Sequence, residues 1–491
     1  MFVRNLAIIV FFVITFSACK KEFFEDSGPG LLSFSNDSIL FDTIFASVGS
    51  ATQKFLVYNR NSNPLTVENI RLVNNNPNNN LYRINIDGQP LENSQNLKIA
   101  SEDSMFVFVE VTINPNNANL PFLVTNQLEF TTNNTKQSVE LVAYGRNAHF
   151  YTPQENLFIG EKDTVNFSYF SIKDNTTWTN DLPHVIYGYV IVEPNATLTI
   201  EEGTKLYFHA NSGIIVGNPI YGSSNDGGTL IVNGELGNEV VFQGDRLEQW
   251  YADAPGQWSQ IWMTQGSTNN SINYAIIRNA TVGIKVDTLG NSTNPTLSIS
   301  NTIIENMSDI GLFAQGSQVV GHNNVIKNCG RYALVLNIGG DYEFTHCTFA
   351  NFYPYGARNT PSILINNYYE DVNGNIQIRD LNRANFTNCI IDGNLDHELE
   401  LQSNPSGNFN YFFENCLLQL GLDSSITKYN QESSLKIDNQ MTIFEDVNEG
   451  NLYLSDESAA VDAGIVTPFS VDIEGEARDG MPDIGAYEKA N

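Results

Sequence analysis

One short phrase returns along the second half of the chain and restricts what it can fold into. Ile276-Ile-Arg-Asn279 recurs as Ile303-Ile-Glu-Asn306, Val325-Ile-Lys-Asn328 and Thr348-Phe-Ala-Asn351. A related phrase appears as Asn388-Cys-Ile-Ile-Asp392 and Asn415-Cys-Leu-Leu-Gln419, and the spacing within each set is 22 to 27 residues. A period in the twenties is the length of one coil in a stacked repeat. Upstream, Ala196-Thr-Leu-Thr-Ile200, Gly203-Thr-Lys-Leu-Tyr-Phe208, Gly213-Ile-Ile-Val216 and Glu239-Val-Val-Phe-Gln-Gly244 are equally short apolar runs broken by Gly, Asn or Pro. Runs this short do not bury themselves in a hairpin meander; stacked coil on coil, each pairs in parallel with the next. The apolar residues then fill the interior. The Asn sits at the turn, where its amide bonds to backbone and to the Asn of the neighbouring coil. The repeat and its entry segment cover residues 149–455, and the insertion at 352–385 is expected to bulge out as loops on one face.

The preceding segment has a different period. Ser38-Ile-Leu-Phe-Asp-Thr-Ile-Phe45, Gln53-Lys-Phe-Leu-Val-Tyr58, Ser104-Met-Phe-Val-Phe-Val-Glu-Val-Thr112 and Gln137-Ser-Val-Glu-Leu-Val-Ala143 alternate apolar and polar residues. Turns such as Asn74-Asn-Asn-Pro77 and Asp87-Gly88 separate them. Short alternating strands with this turn chemistry predict an antiparallel β-sandwich over 31–148.

At the N-terminus, Arg4 precedes the apolar run Leu6–Phe16, which is too short to span a bilayer, and Ser17-Ala18-Cys19 follows. This resembles the signal peptide and lipobox of bacterial lipoproteins, with Phe16 where Leu is commoner. The resemblance implies removal of residues 1–18 and lipidation of Cys19, with 19–30 as a tether. Glu22, Glu25 and Asp26 just beyond it look like the export signal of surface-facing outer-membrane lipoproteins.

Charge narrows the partners. There are 25 Lys+Arg against 55 Asp+Glu, a net −30. Such a chain repels nucleic acid, whose binding rests on cations displacing counterions from phosphate, and it disfavours polyanionic polysaccharides. The expected partners are a membrane, through the lipid, and a polysaccharide or surface protein. No cofactor is expected, with calcium the one ion left open. Cys329, Cys347, Cys389 and Cys416 lack zinc-site spacing and read as small apolar fillers.

Two further resemblances bear on fold. Leu32-Ser-Phe-Ser, Val57-Tyr-Asn59, Asn85-Ile-Asp-Gly88 and Phe106-Val-Phe-Val-Glu-Val111 resemble an immunoglobulin-like module of bacterial surface lipoproteins, implying a stalk or docking face. Gly203-Thr-Lys-Leu, Gly228-Thr-Leu-Ile-Val-Asn-Gly and Gly256-Gln-Trp-Ser-Gln-Ile-Trp262 resemble the right-handed parallel β-helix family, whose fold carries lyases, hydrolases and adhesins alike. Ala459-Ala-Val-Asp-Ala-Gly464 and Pro482-Asp-Ile-Gly-Ala-Tyr-Glu488 look like the ending of such proteins, so 456–491 is expected to cap the open helix end. Its Asp462, Asp472 and Asp483 either tie turns or gather calcium, and the first reading is preferred. The expected fold class is all-β: a sandwich, then a right-handed parallel β-helix with a C-terminal cap.

No catalytic constellation stands out. Trp250, Tyr251, Trp258 and Trp262 form a local aromatic cluster, and aromatic faces stack on sugar rings. Arg331, Arg358, Arg379 and Arg383 lie in or near the insertion and are candidates for a cleft wall. The glycan-contact candidates are therefore Trp250, Tyr251, Trp258, Arg379 and Arg383. Asp392, Asp396 and Glu398 are candidates for the paired carboxylates of glycoside hydrolysis. His322 and His346, one coil apart, are expected to stack on each other. Asp37-Ser-Ile, Asp42-Thr-Ile, Asp103-Ser-Met, Asp163-Thr-Val and Asp287-Thr-Leu resemble the acceptor of a bacterial O-glycosylation system. The leading expectation is a surface lipoprotein presenting its β-helix for adhesion or glycan binding. The alternative is a polysaccharide lyase or glycoside hydrolase acting in a groove of the helix.

Overall fold

A computed structural model describes residues 31–46, 48–74, 81–115, 122–159, 165–217, 227–287, 294–421, 433–437 and 443–489. Cys19, the leader, the tether and Asp163-Thr164 lie outside them. The chain divides into two compact units, Met1–Asn147 and Ala148–Asn491.

The first unit has a five-stranded sheet, in spatial order Ser33–Phe34, Gln53–Tyr58, Ser104–Val111, Tyr82–Ile86 and Gln89–Pro90. A second sheet orders Ser38–Phe45, Thr135–Arg146, Phe122–Thr132 and Asn69–Leu72. The period-two alternation puts Phe55 and Val107 of one sheet against Leu128 and Phe130 of the other, in one apolar core. One pairing departs from an antiparallel sandwich, since Ser38–Phe45 runs parallel to Thr135–Arg146.

In the second unit each coil gives one strand in turn to three long, almost wholly parallel sheets of 11, 10 and 9 strands. The coil Ile303–Met307, Ile310–Gln315, Gln318–His322 shows the order. Parallel pairing in register stacks like on like. In the first sheet Leu206, Phe242, Ile277, Ile304, Ile326, Phe349, Ile391 and Leu418 form one inward row, all fully or almost fully buried. In the third, Phe344, Phe386 and Phe413 stack at 5.4 and 4.9 Å. Gly321 occupies the same row one coil earlier, because a Cβ there would stand 2.9 Å from the Phe344 ring. At about 1.5–3 kcal/mol for each large side chain, such rows supply most of the driving force.

Two rows of left-handed residues turn the corners. Asn279 follows a strand of the first sheet, and Asn306 and Asn328 stand one residue before the end of theirs, with φ of 67, 58 and 54°. Asn301, Asn323, His346, Asn388 and Asn415 precede it, with φ of 48 to 52°. The coil-to-coil bonding expected of the first row belongs to the second. There Asn301 Nδ2 donates to Asn273 Oδ1 (2.9 Å), Asn323 Nδ2 to Asn301 Oδ1 (3.1 Å) and Asn388 Nδ2 to His346 Nε2 (3.0 Å). Asn279 instead bonds the Ala252 carbonyl, and Asn351 lies within its strand.

Just inside the second row, Cys347, Cys389 and Cys416 each point a thiol at the carbonyl two residues back, at 3.3–3.4 Å. All four described cysteines are free and buried. Desolvation pushes the Cys329 thiol up to about 12 and raises Cys389 as well. Thiolate is the reactive form, so none is expected to react with a disulfide reagent at neutral pH until the chain unfolds. A native thiol titre above zero for the unit would contradict this packing.

The C-terminal segment covers apolar surface, but on a flank. Ala460, Ile473, Ile484 and Ala486 pack over the outward face of the first sheet, against Val325, Ala350, Ile390 and Leu417. Residues 463–471 run back along the second corner row as a strap. Ala463 O accepts from Asn415 (3.0 Å), Ile465 exchanges two bonds with Asn388 (2.7 and 3.0 Å), and Val471 O accepts from Asn323 (3.0 Å). His322 and His346 therefore do not stack on each other. The His322 ring lies on Phe469 (3.9 Å, 12°), and His346 Nε2 meets Thr467 Oγ1 at 3.1 Å. Asp472 accepts from the Glu474, Glu476 and Glu488 amides, and Asp483 from Asp462 and Lys489, all at 2.7–2.8 Å. These two carboxylates tie turns.

The 352–385 insertion does not stay on one face. Residues 352–362 leave the coil between the first and second sheets, whereas the antiparallel hairpin of Tyr368–Glu370 and Ile376–Ile378 leaves it between the second and third.

Candidate functional site

The corner between the first and second sheets carries three long excursions, at 245–260, 352–362 and 394–398. On the first, a single 3-10 turn, Gln249–Tyr251, raises Trp250 to 68% exposure. Tyr251 stands 6.4 Å from Trp250, and the Arg246 guanidinium covers its ring at 4.1 Å. On the second, Tyr355 is 47% exposed and 5.5 Å from Tyr353. Burial, with the carboxylates Asp253 and Glu305, pushes the Tyr355 hydroxyl up to about 12. Asp253, two residues after Tyr251, acts electrostatically on Tyr355, so both excursions stand on one corner of the coil stack; their rings are its aromatic ledge.

Beyond the ledge, Phe352 meets Phe444 edge-on at 6.3 Å. Both line a cleft of about 480 Å³ with Asp392, Asp396, Glu445 and Asp446. Asp392 stands on the outward row of the first sheet, beside Ala350. Burial pushes its carboxyl up to about 7; the nearby Glu398 adds to this, and the Gly393 amide at 2.7 Å opposes it. The folded chain thus keeps this proton nearly to neutrality, whereas the unfolded chain loses it near pH 4. Between those values the unfolded state binds fewer protons, so stability falls as pH rises from about 4 to about 7 and is level above. Asp392→Asn is expected to flatten that slope. Equal shifts of the denaturation midpoint in wild type and variant, between about pH 5 and about pH 8, would refute it.

Glu398 faces away from the cleft, inside the protein. It and Arg358 are wholly buried and form a two-pronged ion pair. Arg358 also donates to Asn351 O and Asn394 Oδ1 at 2.7 Å, while Glu398 accepts from the Ser362 and Leu395 amides at 2.6 and 2.8 Å. The pair pins the second excursion to the third. It is a clamp, with neither partner open to a ligand.

The other sequence candidates separate. Trp258 is 1% exposed, stacked on Phe208 at 4.3 Å and bonded to Arg278 O. It fills the coil interior and cannot meet a sugar. Trp262 carries the Lys285 ammonium 4.2 Å over its ring. Arg379 is exposed beyond the hairpin, and Arg383 is held by Asp341 and Glu343 on the third sheet. Neither arginine joins the ledge. Arg331 pairs with Asp309, Arg246 with Glu248 and Arg478 with Glu488, so these three cations are already neutralised, while Arg379, just beyond the hairpin, stands off the corner. Tyr353 and Tyr355 escaped notice in the sequence, where aromatic density at 352–355 was the available signal; Arg358 and Glu398 were named there as cleft wall and catalytic carboxylate, and the structure pairs them with each other instead. Among the described residues no group of three or more His, Cys, Asp or Glu is placed to hold a metal ion.

Residues 310–458 match the family described as the right handed beta helix region. No curated protein matches the chain. Among solved structures, pectate lyase Pel9A is 12% identical, over 70% of this chain and 88% of that one, with a TM-score of 0.29. The catalytic unit of a GH87 α-1,3-glucanase from Streptomyces thermodiastaticus is 10% identical, over 79% and 86%, with a TM-score of 0.23. A family 123 glycoside hydrolase from Clostridium perfringens is 14% identical over 24% of this chain, which spans only 30% of that enzyme, with a TM-score of 0.18. The C-terminal unit of this chain is a right-handed parallel β-helix.

Proposed function

We propose that the chain is a lipoprotein of the outer-membrane surface, anchored through Cys19, that binds a neutral polysaccharide along the ledge and cleft of its β-helix. The immunoglobulin-like sandwich serves as its stalk. The carrying observation is the exposed Trp250 and Tyr355, each with a half-buried tyrosine beside it (Tyr251 and Tyr353), on the same corner as the Asp392 cleft. Flat rings offer a sugar its stacking surface. Neutralised arginines and a net charge of −30 favour a neutral glycan over a uronate polymer, and exclude nucleic acid. Trp250→Ala and Tyr355→Ala are each expected to weaken binding to the responsive member of a neutral polysaccharide panel about tenfold in affinity electrophoresis. Retardation by no member of the panel would sink the reading.

The burial that pushes the Asp392 carboxyl up to about 7 favours a second reading, hydrolysis. Glycosidases need one carboxyl that keeps its proton beside another that has lost it. Asp392 would donate the proton, and Asp396 and Glu445, which line the same cleft, are the candidates for the second carboxyl. New reducing ends that disappear in Asp392→Asn would establish catalysis and displace the purely binding role.

A further inference from the structure

The N-terminal sandwich carries an aromatic surface that its own fold does not use. On Ser104–Val111 the alternate residues Met105, Val107, Val109 and Val111 face the core, which turns Phe106 and Phe108 outward. Phe106 is 44% exposed, and the two rings lie 6.0 Å apart and within 18° of parallel. A pocket of about 450 Å³ opens beside Phe108, bounded by Asn85, Pro90, Thr52, Arg83 and Glu110. Glu110 accepts from Thr52 Oγ1 at 2.6 Å and from the Arg83 guanidinium. The pocket thus sets a flat apolar wall against hydroxyl, amide, carboxylate and guanidinium groups that are already aligned with one another.

We propose that this pocket is a second carbohydrate site, which takes a neutral oligosaccharide independently of the β-helix ledge. The pattern matches a sugar ring, whose C–H face needs a flat apolar wall and whose hydroxyls need charged or amide partners at its edge. Charge selects a neutral ligand, because Arg83 is balanced by Glu110 and Lys54 stands opposite Phe108 with Asp87 beside Phe106. Size argues against a protein partner. Two rings bury about 150–250 Å² each, while a stable protein interface needs about 800 Å² per side.

The test is titration calorimetry of the full chain with cellohexaose, xylohexaose and mannohexaose. Phe108→Leu keeps apolar bulk at the half-buried pocket wall but removes its flat face, Phe106→Leu removes the exposed ring stacked beside it, and Glu110→Gln keeps shape but removes charge. Each is expected to eliminate one bound hexasaccharide per chain, or to weaken that site about tenfold, with the thermal midpoint unchanged. Any binding at the β-helix ledge remains as a separate class of sites. Wild-type stoichiometry and affinity in all three variants, or no binding of any of the three sugars, overturns the proposal.

Discussion

Replacing Arg358 by methionine is expected to destabilise the β-helix by about 3–5 kcal/mol, the cost of stranding a fully buried charge. Glu398 would keep only the Ser362 and Leu395 amides as partners. The Asn351 and Asn394 oxygens would lose their shared donor. The effect reaches the functional corner, because the same guanidinium holds the 352–362 loop against 394–398. Changing both partners, Arg358→Met with Glu398→Met, removes the stranded charge and is expected to recover more than half of the loss. Denaturant midpoints of the wild type and both variants decide it. A single-variant loss under about 1 kcal/mol would mean that the pair is not the clamp its burial implies.

Asn388→Ala is expected to cost about 4 kcal/mol. Asn388 sits at φ 52°, where alanine is strained by roughly 1–2 kcal/mol. Its amide makes two bonds to Ile465 and one to His346, each worth about 1 kcal/mol net. Asn388→Gly relieves the backbone share and should fall between the two. The strap should also loosen before the coils do, and amide exchange at 463–471 is the measurement. Protection there equal to wild type would show that the strap is held by its apolar contacts alone.

The stacked coils were legible because each interior row must be filled in every turn, so the sequence repeats what the register demands. The corners were harder to read. An apolar pair beside Asn occurs at both corners of the first sheet, and counting alone does not tell Asn306, which bonds no neighbouring coil's Asn, from Asn323, which does. Trp258 misled for a similar reason. It shares its phrase with Trp262, and only its bridge to Ala280 turns it inward. Contacts made at long range left no local mark. Arg358 and Glu398 are 40 residues apart, and the bonds from the strap to the corner row span 48 to 148. The ledge was half visible, because Trp250 and Tyr251 were singled out but their partners at 353 and 355 lie about a hundred residues on.

Repeat proteins held only by neighbour-to-neighbour contacts tend to fray from their ends, one turn at a time. Here one late stretch of chain touches the turns at Asn415, Asn388, His346 and Asn323 together. Losing an outer turn therefore loosens a clasp on inner ones, and these coils should melt as a block. That clasp can close only after the turns beneath it exist, so it belongs to the last stage of assembly.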